Sequence, residues 1–398
     1  MTTDVSPGGV RRVLRDLSLS SVVAGAVAVL VSFAGPLTVV VQAAHAADLS
    51  EAQLSSWIWA VALGSGVTGF ALSLRYRVPV VAAWSTPGAA LLVGQLGDIR
   101  YEMAIGAYLA AAALTVLVGV TDWFDALMRR MPAAVVSGVL AGVLVRFGLD
   151  AFGALEDGPA VAGAVIAGYV LCRRLAPRYA IAAPLALGIA VAAVTGSIDL
   201  DGSEVALVVP VFTVPEWPGG ALVSLALPLF LVTMSAQNAP GVAVLKEAGY
   251  AVPTGPVIRD TGLASAFFAP FGAHALNLGA ITAAICTGPA AHEDRDRRYV
   301  AGLSCGVLYV AVGLFGTAIA GLFTALPPAL IAAVAGVALL GALGGSLSGA
   351  FTGAENRDAA LIAFLTTASG ITLLGLGAAF WGLVFGVTCR ALWRGLRT

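Results

Sequence analysis

In this chain of 398 residues, 59% hydrophobic and 11% charged, the polar side chains inside apolar stretches are the ones that can do chemistry. Three groups stand out. Residues 80–94 read VVAAWSTPGAALLVG, with Ser85, Thr86, Pro87 and Gly88 in the middle. Residues 234–241 read MSAQNAPG and place Ser235, Gln237 and Asn238 ahead of Pro240. Asn277 stands alone in HALNLGA, residues 274–280. These groups offer hydrogen bonds without formal charge. Asp98, Glu102, Asp150, Glu156 and Glu355 all read as segment ends or loops. A cation site in lipid needs a buried carboxylate, whereas a neutral, donor-rich site suits an anion. Phe33 and Trp84 are placed to cover an apolar or aromatic body, with ordinary core packing as the competing reading.

Those groups need a backbone that breaks in the membrane. Proline lacks an N–H, and glycine is about 1 kcal/mol poorer than alanine inside a helix. The segment VPVVAA (78–83) is β-branched and short and is predicted to be extended. Ser85 or Thr86 then caps a helix with Pro87 near its first position. The result is a short strand followed by a half-helix whose free N–H groups make an anion site. A continuous helix kinked at Pro87 is the alternative. A twin is expected in HALNLGA, with a helix starting near Gly279–Ala280, and residues 80–83 and 274–278 pairing antiparallel. The donors of the candidate site are then Ser85, Thr86, Gly88, Leu278 and Gly279, with Gln237, Asn238 and Asn277 beside them. Gln237 and Asn277 are expected to share one cavity. The competing reading of Gln237 and Asn238 is hydrogen bonding between helices without substrate.

The rest of the chain supplies membrane helices. A soluble domain carries roughly 25% charge, so most of this surface expects lipid, and several stretches reach the ~20 apolar residues of a span. Fourteen segments are read, near 19–43, 51–74, 79–97, 102–121, 132–150, 159–172, 180–197, 219–245, 256–270, 274–290, 299–323, 327–347, 358–373 and 375–393. The first sixteen residues, with Arg11, Arg12 and Arg15 and no cleavage signal, read as a short cytosolic tail. With both termini cytoplasmic, every Lys and Arg except Arg100 and Arg146 falls on the inner side. The outer loop 198–218 carries Asp199, Asp201, Glu204 and Glu216 and no basic residue. Cys172, Cys286, Cys305 and Cys389 are scattered, and His45, His274 and His292 lack metal-ligand spacing. No metal or cofactor is expected. No nucleophile–base set or phosphate loop points to an enzyme, and nothing points to nucleic acid.

The halves resemble each other weakly: FAGPLTVVVQ (33–42) aligns with QNAPGVAVLK (237–246), and PAAVVSGVLAGVL (132–144) with PPALIAAVAGVAL (327–339). Two seven-segment repeats follow, the second inverted because seven is odd; broken helices in inverted repeats mark secondary transporters.

AWSTPGAALL, SAQNAPG and ALNLGAITAAICTGPAAHEDRDRRYVAG resemble the benzoate:proton symporter family of bacterial inner membranes, over nearly the whole chain. The resemblance implies an all-α polytopic fold shared with nucleobase:cation symporters and sulfate or bicarbonate transporters. It implies a core domain from 1–128 and 219–324, and a gate domain from 129–218 and 325–398, one moving against the other. It also implies import of an aromatic carboxylate with protons, with a homodimer as an option. Nucleobase symporters of this fold carry carboxylates on segments eight and ten, where this chain has Gln237 and Leu276. That departure favours a carboxylate over a nucleobase; a transporter for a nucleobase or an inorganic anion is the alternative. It also leaves the proton unassigned: the substrate carries it, or His274 or a peripheral acid relays it.

Overall fold

A computed structural model describes residues 7–34, 36–93, 95–121, 123–124, 126, 132–176, 179–198, 207–217, 225–315, 326–352, 354–371, 373 and 378–395. The expected domain boundaries at 128/129, 218/219 and 324/325 lie outside these residues, as do Asp199, Asp201 and Glu204.

The chain opens with α1 (Pro7–Asp16). The sequence reading made this a polar tail. Instead Val13 packs against Tyr299, Val300 and Leu303, and the buried Asp16 accepts a hydrogen bond of 3.0 Å from the Tyr299 hydroxyl. The first apolar run forms α2 (Leu19–Ala34) and α3 (Pro36–Ala46), divided ahead of Pro36, which cannot continue the preceding helix. A capping box at Ser50 and Gln53 starts α4 (Glu51–Tyr76). Next come β1 (Ala82–Trp84), α5 (Thr86–Val93) and α6 (Tyr101–Val120). They are followed by α7 (Ala133–Asp157), α8 (Pro159–Leu175) and α9 (Ala182–Val194).

In the second half, α10 (Leu227–Thr233) runs through a π turn at Met234–Asn238 into α11 (Ala239–Glu247). Here the expected break is replaced by a widened turn. Pro240 has no N–H to give, and the Ala239 N–H reaches back five residues to the Met234 carbonyl, so the run stays continuous. Then follow α12 (Thr254–Phe268), β2 (Leu276–Leu278), α13 (Ala280–Thr287) and α14 (Tyr299–Leu314). The chain ends in α15 (Pro328–Phe351), α16 (Arg357–Ala368) and α17 (Ala378–Gly395).

The chain is a helical polytopic membrane protein. Among the described residues α4, α6, α7 and the run Leu227–Glu247 are each long and apolar enough to span a bilayer alone. The helices pack in two groups. One holds α2–α6 and α10–α14, where α14 lies along α4 and α2, and α12 along α6. The other holds α7–α9 and α15–α17, where α15 and α16 lie along α7. Gly66 and Gly306 let α4 and α14 touch backbone to backbone: a Cβ on either glycine would stand 2.7–2.8 Å from the other's carbonyl oxygen.

Within the first group β1 and β2 form an antiparallel ribbon, with Ala82 opposite Leu278, Ala83 opposite Asn277 and Trp84 opposite Leu276. The pairing is the one expected, shifted toward the helix starts. All six ribbon residues are buried. In lipid such a ribbon needs every backbone group paired, and side chains finish the task. The Ser265 hydroxyl accepts from the Leu276 N–H (2.8 Å), Asn238 Oδ1 accepts from the Leu278 N–H (3.0 Å), and the Ser73 hydroxyl donates to the Val80 carbonyl (2.9 Å).

Candidate functional site

The ribbon puts two helix starts side by side. At α5 the cap is Ser85, whose hydroxyl accepts from the Gly88 N–H (3.0 Å), while Pro87 in the first turn has no N–H to leave open. At α13 the cap position is Gly279, and no side chain bonds the first turn. The N–H groups of Ala280, Ile281 and Thr282 therefore stand at the helix start without a cap, at the positive end of the helix dipole.

A cavity of about 670 Å³ lies against these starts and between the two helix groups. Thr86, Gly279, Ala280 and Thr282 form one side, with Gln237 from the π turn. Phe33 and Trp84 form an aromatic wall, with ring centroids 4.6 Å apart, backed by Tyr309 at 5.9 Å from each. Phe147 and Asp150 of α7, with Pro328, Ile331 and Ala335 of α15, close the opposite side. Asp150 and Pro328 are exposed and mark the mouth. Two lining residues carry buried donors with no hydrogen-bond partner: the Trp84 indole N–H and the Thr282 hydroxyl, on side chains 3% and 5% exposed. A buried unpaired donor is uncommon and costs roughly 1–3 kcal/mol. An uncapped helix start on a cavity with an aromatic wall suits an acceptor-rich group with an apolar body.

Of the residues singled out in the sequence, Phe33, Trp84, Thr86, Gln237 and Gly279 line the cavity. The others hold the frame. Ser85 caps α5. Gly88 lies against the Leu229 and Ser85 side chains, which a Cβ would meet at 2.8–3.0 Å. Asn238 ties Leu278 and the Met234 sulfur to the π turn. Asn277, expected to share the cavity with Gln237, is turned into the ribbon. With its amide oriented to satisfy both groups, Oδ1 accepts from the Ser85 N–H and Nδ2 donates to the Leu278 carbonyl, each at 3.0 Å. His274 is buried away from the cavity with both nitrogens engaged. Nδ1 accepts from the Trp57 indole (3.0 Å), so Nε2 carries the proton and donates to the Ser85 carbonyl (2.9 Å). Neither nitrogen is free to relay a proton to the cavity.

Thr282 and Asp150 are among the lining residues that the sequence did not single out. Thr282 stood inside an apolar run and reads as packing until Gly279 is known to be the cap. Asp150 was placed at a segment end, but α7 continues to Asp157 and carries the residue to the cavity mouth. Far from that mouth, the Ser346 hydroxyl of α15 donates to the Glu247 carboxylate at the end of α11 (3.0 Å), joining the two helix groups.

The sequence matches the family model described as "Benzoate membrane transport protein" over residues 15–392. It is 44% identical to the "Inner membrane protein YdcO" of Escherichia coli (strain K12) over 369 residues, 93% of this chain and 94% of that protein. It is 42% identical to the "Benzoate membrane transport protein" of Acinetobacter baylyi over 373 residues, 94% of this chain and 95% of that protein. A solved structure of SLC26A9 superposes with a TM-score of 0.51 at 14% identity, covering 97% of this chain and 66% of that one, which shows a shared fold. By the extent of the family match and the identity to these relatives, the chain belongs to the benzoate membrane transport protein family.

Proposed function

We propose that this protein is a secondary transporter that imports benzoate, or a similar aromatic carboxylate, with a proton across the bacterial inner membrane. The observation that carries the reading is the juxtaposition, on one cavity, of an uncapped helix start with an aromatic wall. The carboxylate sits at the first turn of α13, against the N–H groups of Ala280, Ile281 and Thr282 and the Thr282 hydroxyl. Gln237 completes its hydrogen bonds, and the ring lies along Phe33 and Trp84. An inorganic anion would leave this wall unused, and a nucleobase would find donors where its own N–H groups need acceptors.

Fourteen segments in two inverted repeats, with both termini cytoplasmic, accommodate the helices and the positive charge. In that orientation the mouth at Asp150 and Pro328 faces outward, and the Glu247–Ser346 contact closes the inner end. Transport is then a movement of the core (1–128 and 219–324) against the gate (129–218 and 325–398), breaking that contact and closing the mouth. A homodimer held through the gate leaves the core free to move. The test is uptake of labelled benzoate into proteoliposomes under an inward proton gradient, corrected for entry of neutral benzoic acid into protein-free vesicles. Saturable, gradient-driven uptake is expected. Uptake equal to that of empty vesicles, or uptake of uracil or bicarbonate in its place, overturns the reading.

A further inference from the structure

Among the described residues Asp150 is the only titratable one lining the cavity, and no hydrogen bond or ion pair among them reaches its carboxylate. Its surroundings hold few other charges. On its own helix Arg146 lies one turn earlier, with its guanidinium against Gly370, where a Cβ would stand 2.6 Å from Nη1; Glu156 and Asp157 end the helix. The helix α15, packed along α7, has no charged residue between Pro328 and Phe351. Neither has α2, which lines the cavity through Phe33. The charges on the other helices packed against α7 sit at termini: Arg173 and Arg174 end α8, Arg357 and Asp358 start α16, Arg390 and Arg394 lie near the end of α17, and Lys246 and Glu247 end α11. By the up-and-down course of the chain, these termini gather at the end of α7 opposite Asp150.

An anion loading this cavity therefore meets one fixed charge, of its own sign. Water screens that repulsion while the mouth is open; closure removes the water and strengthens it. A single proton removes it. We propose that Asp150 makes loading proton-dependent: the cavity accepts the anion, and closes over it, with the Asp150 carboxylate protonated. The proton comes from the water at the mouth onto one carboxylate oxygen and returns to cavity water once the anion has left. The inference rests on the carboxylate-transport reading and adds to it the residue that links substrate to proton. It replaces both His274 and a proton carried on the substrate.

The experiment is benzoate binding to the purified full-length chain by titration calorimetry, in buffers of different ionisation enthalpy, which counts protons taken up per ligand bound. Wild type should take up protons as it binds benzoate, and its Kd should rise with pH. Asp150→Asn should bind with no proton uptake and a flat pH profile. Wild-type binding without proton uptake, or uptake retained in Asp150→Asn, overturns the proposal. If Asp150→Asn fails to bind, Asp150→Glu decides: proton-linked binding supports the role, and binding without the link refutes it. Wild type that binds no benzoate at all refutes the substrate reading instead.

Discussion

The two strand-and-half-helix units are built alike and finished differently. Each runs three buried strand residues into an eight-residue helix. At α5, Ser85 caps the first turn through Gly88, its carbonyl accepts from His274, and its N–H is bonded within the ribbon. That start is satisfied by the protein. At α13, Gly279 gives its N–H to the Val81 carbonyl but caps nothing, and the Thr282 hydroxyl stays unpaired. The same local architecture thus yields one closed and one open helix start. The difference lies in whether the cap residue has a side chain: a serine provides the acceptor that a ligand would otherwise provide, and a glycine leaves the place to the ligand.

That contrast can be broken directly. Gly279→Ser would give α13 the cap that α5 already has, and its Cβ would crowd the Thr282 hydroxyl and approach the Ala83 Cβ at 3.3 Å. Filling the open start from within should weaken benzoate binding by about 100-fold, the loss of two charge-assisted hydrogen bonds of roughly 1.5 kcal/mol each. Calorimetry on folded protein reads it, and affinity within threefold of wild type would show that the anion does not use this start. Thr282→Val keeps the shape and removes only the hydroxyl; about a 20-fold loss of affinity is expected, measured by quenching of tryptophan fluorescence.

Gln237→Ala tests the π turn, which lines the cavity beside the helix starts. Binding should fall about tenfold, with the melting temperature within a few degrees of wild type, because Gln237 lines the cavity and does not hold the frame. The smallest effect on ligand belongs to Ser85→Ala. It opens the start that the protein had closed and should cost about 1 kcal/mol of stability with less than a twofold change in Kd. Thermal melting and binding, measured together, separate the two; a tenfold loss of affinity from Ser85→Ala with unchanged melting would make the capped start the binding end after all.

The places where the chain breaks were legible in the sequence because they are written in residues with local rules. Pro87 and Gly88 cannot sit inside a good helix, Ser85 is a capping residue, and HALNLGA lacks the pattern of a long span; the ribbon and both helix starts followed from these. Which polar side chain faces the cavity was not local. Asn277 and Gln237 look alike in sequence, yet one lies on a ribbon whose backbone needs partners and is consumed there, while the other lies on a turn beside empty space. His274 is committed by Trp57, 217 residues away in the chain. The π turn was hidden because proline signals that a regular helix must change, without saying whether it breaks or widens. Thr282 and Asp150 carried no sequence signal of function: the first is one threonine in an apolar helix, the second an acid near the end of a span. Composition and local chemistry determined where this chain would bend. Tertiary packing decided which donors were used up by the fold and which were left for a ligand, because in lipid every polar group takes the nearest partner, and only the finished structure shows which group has none.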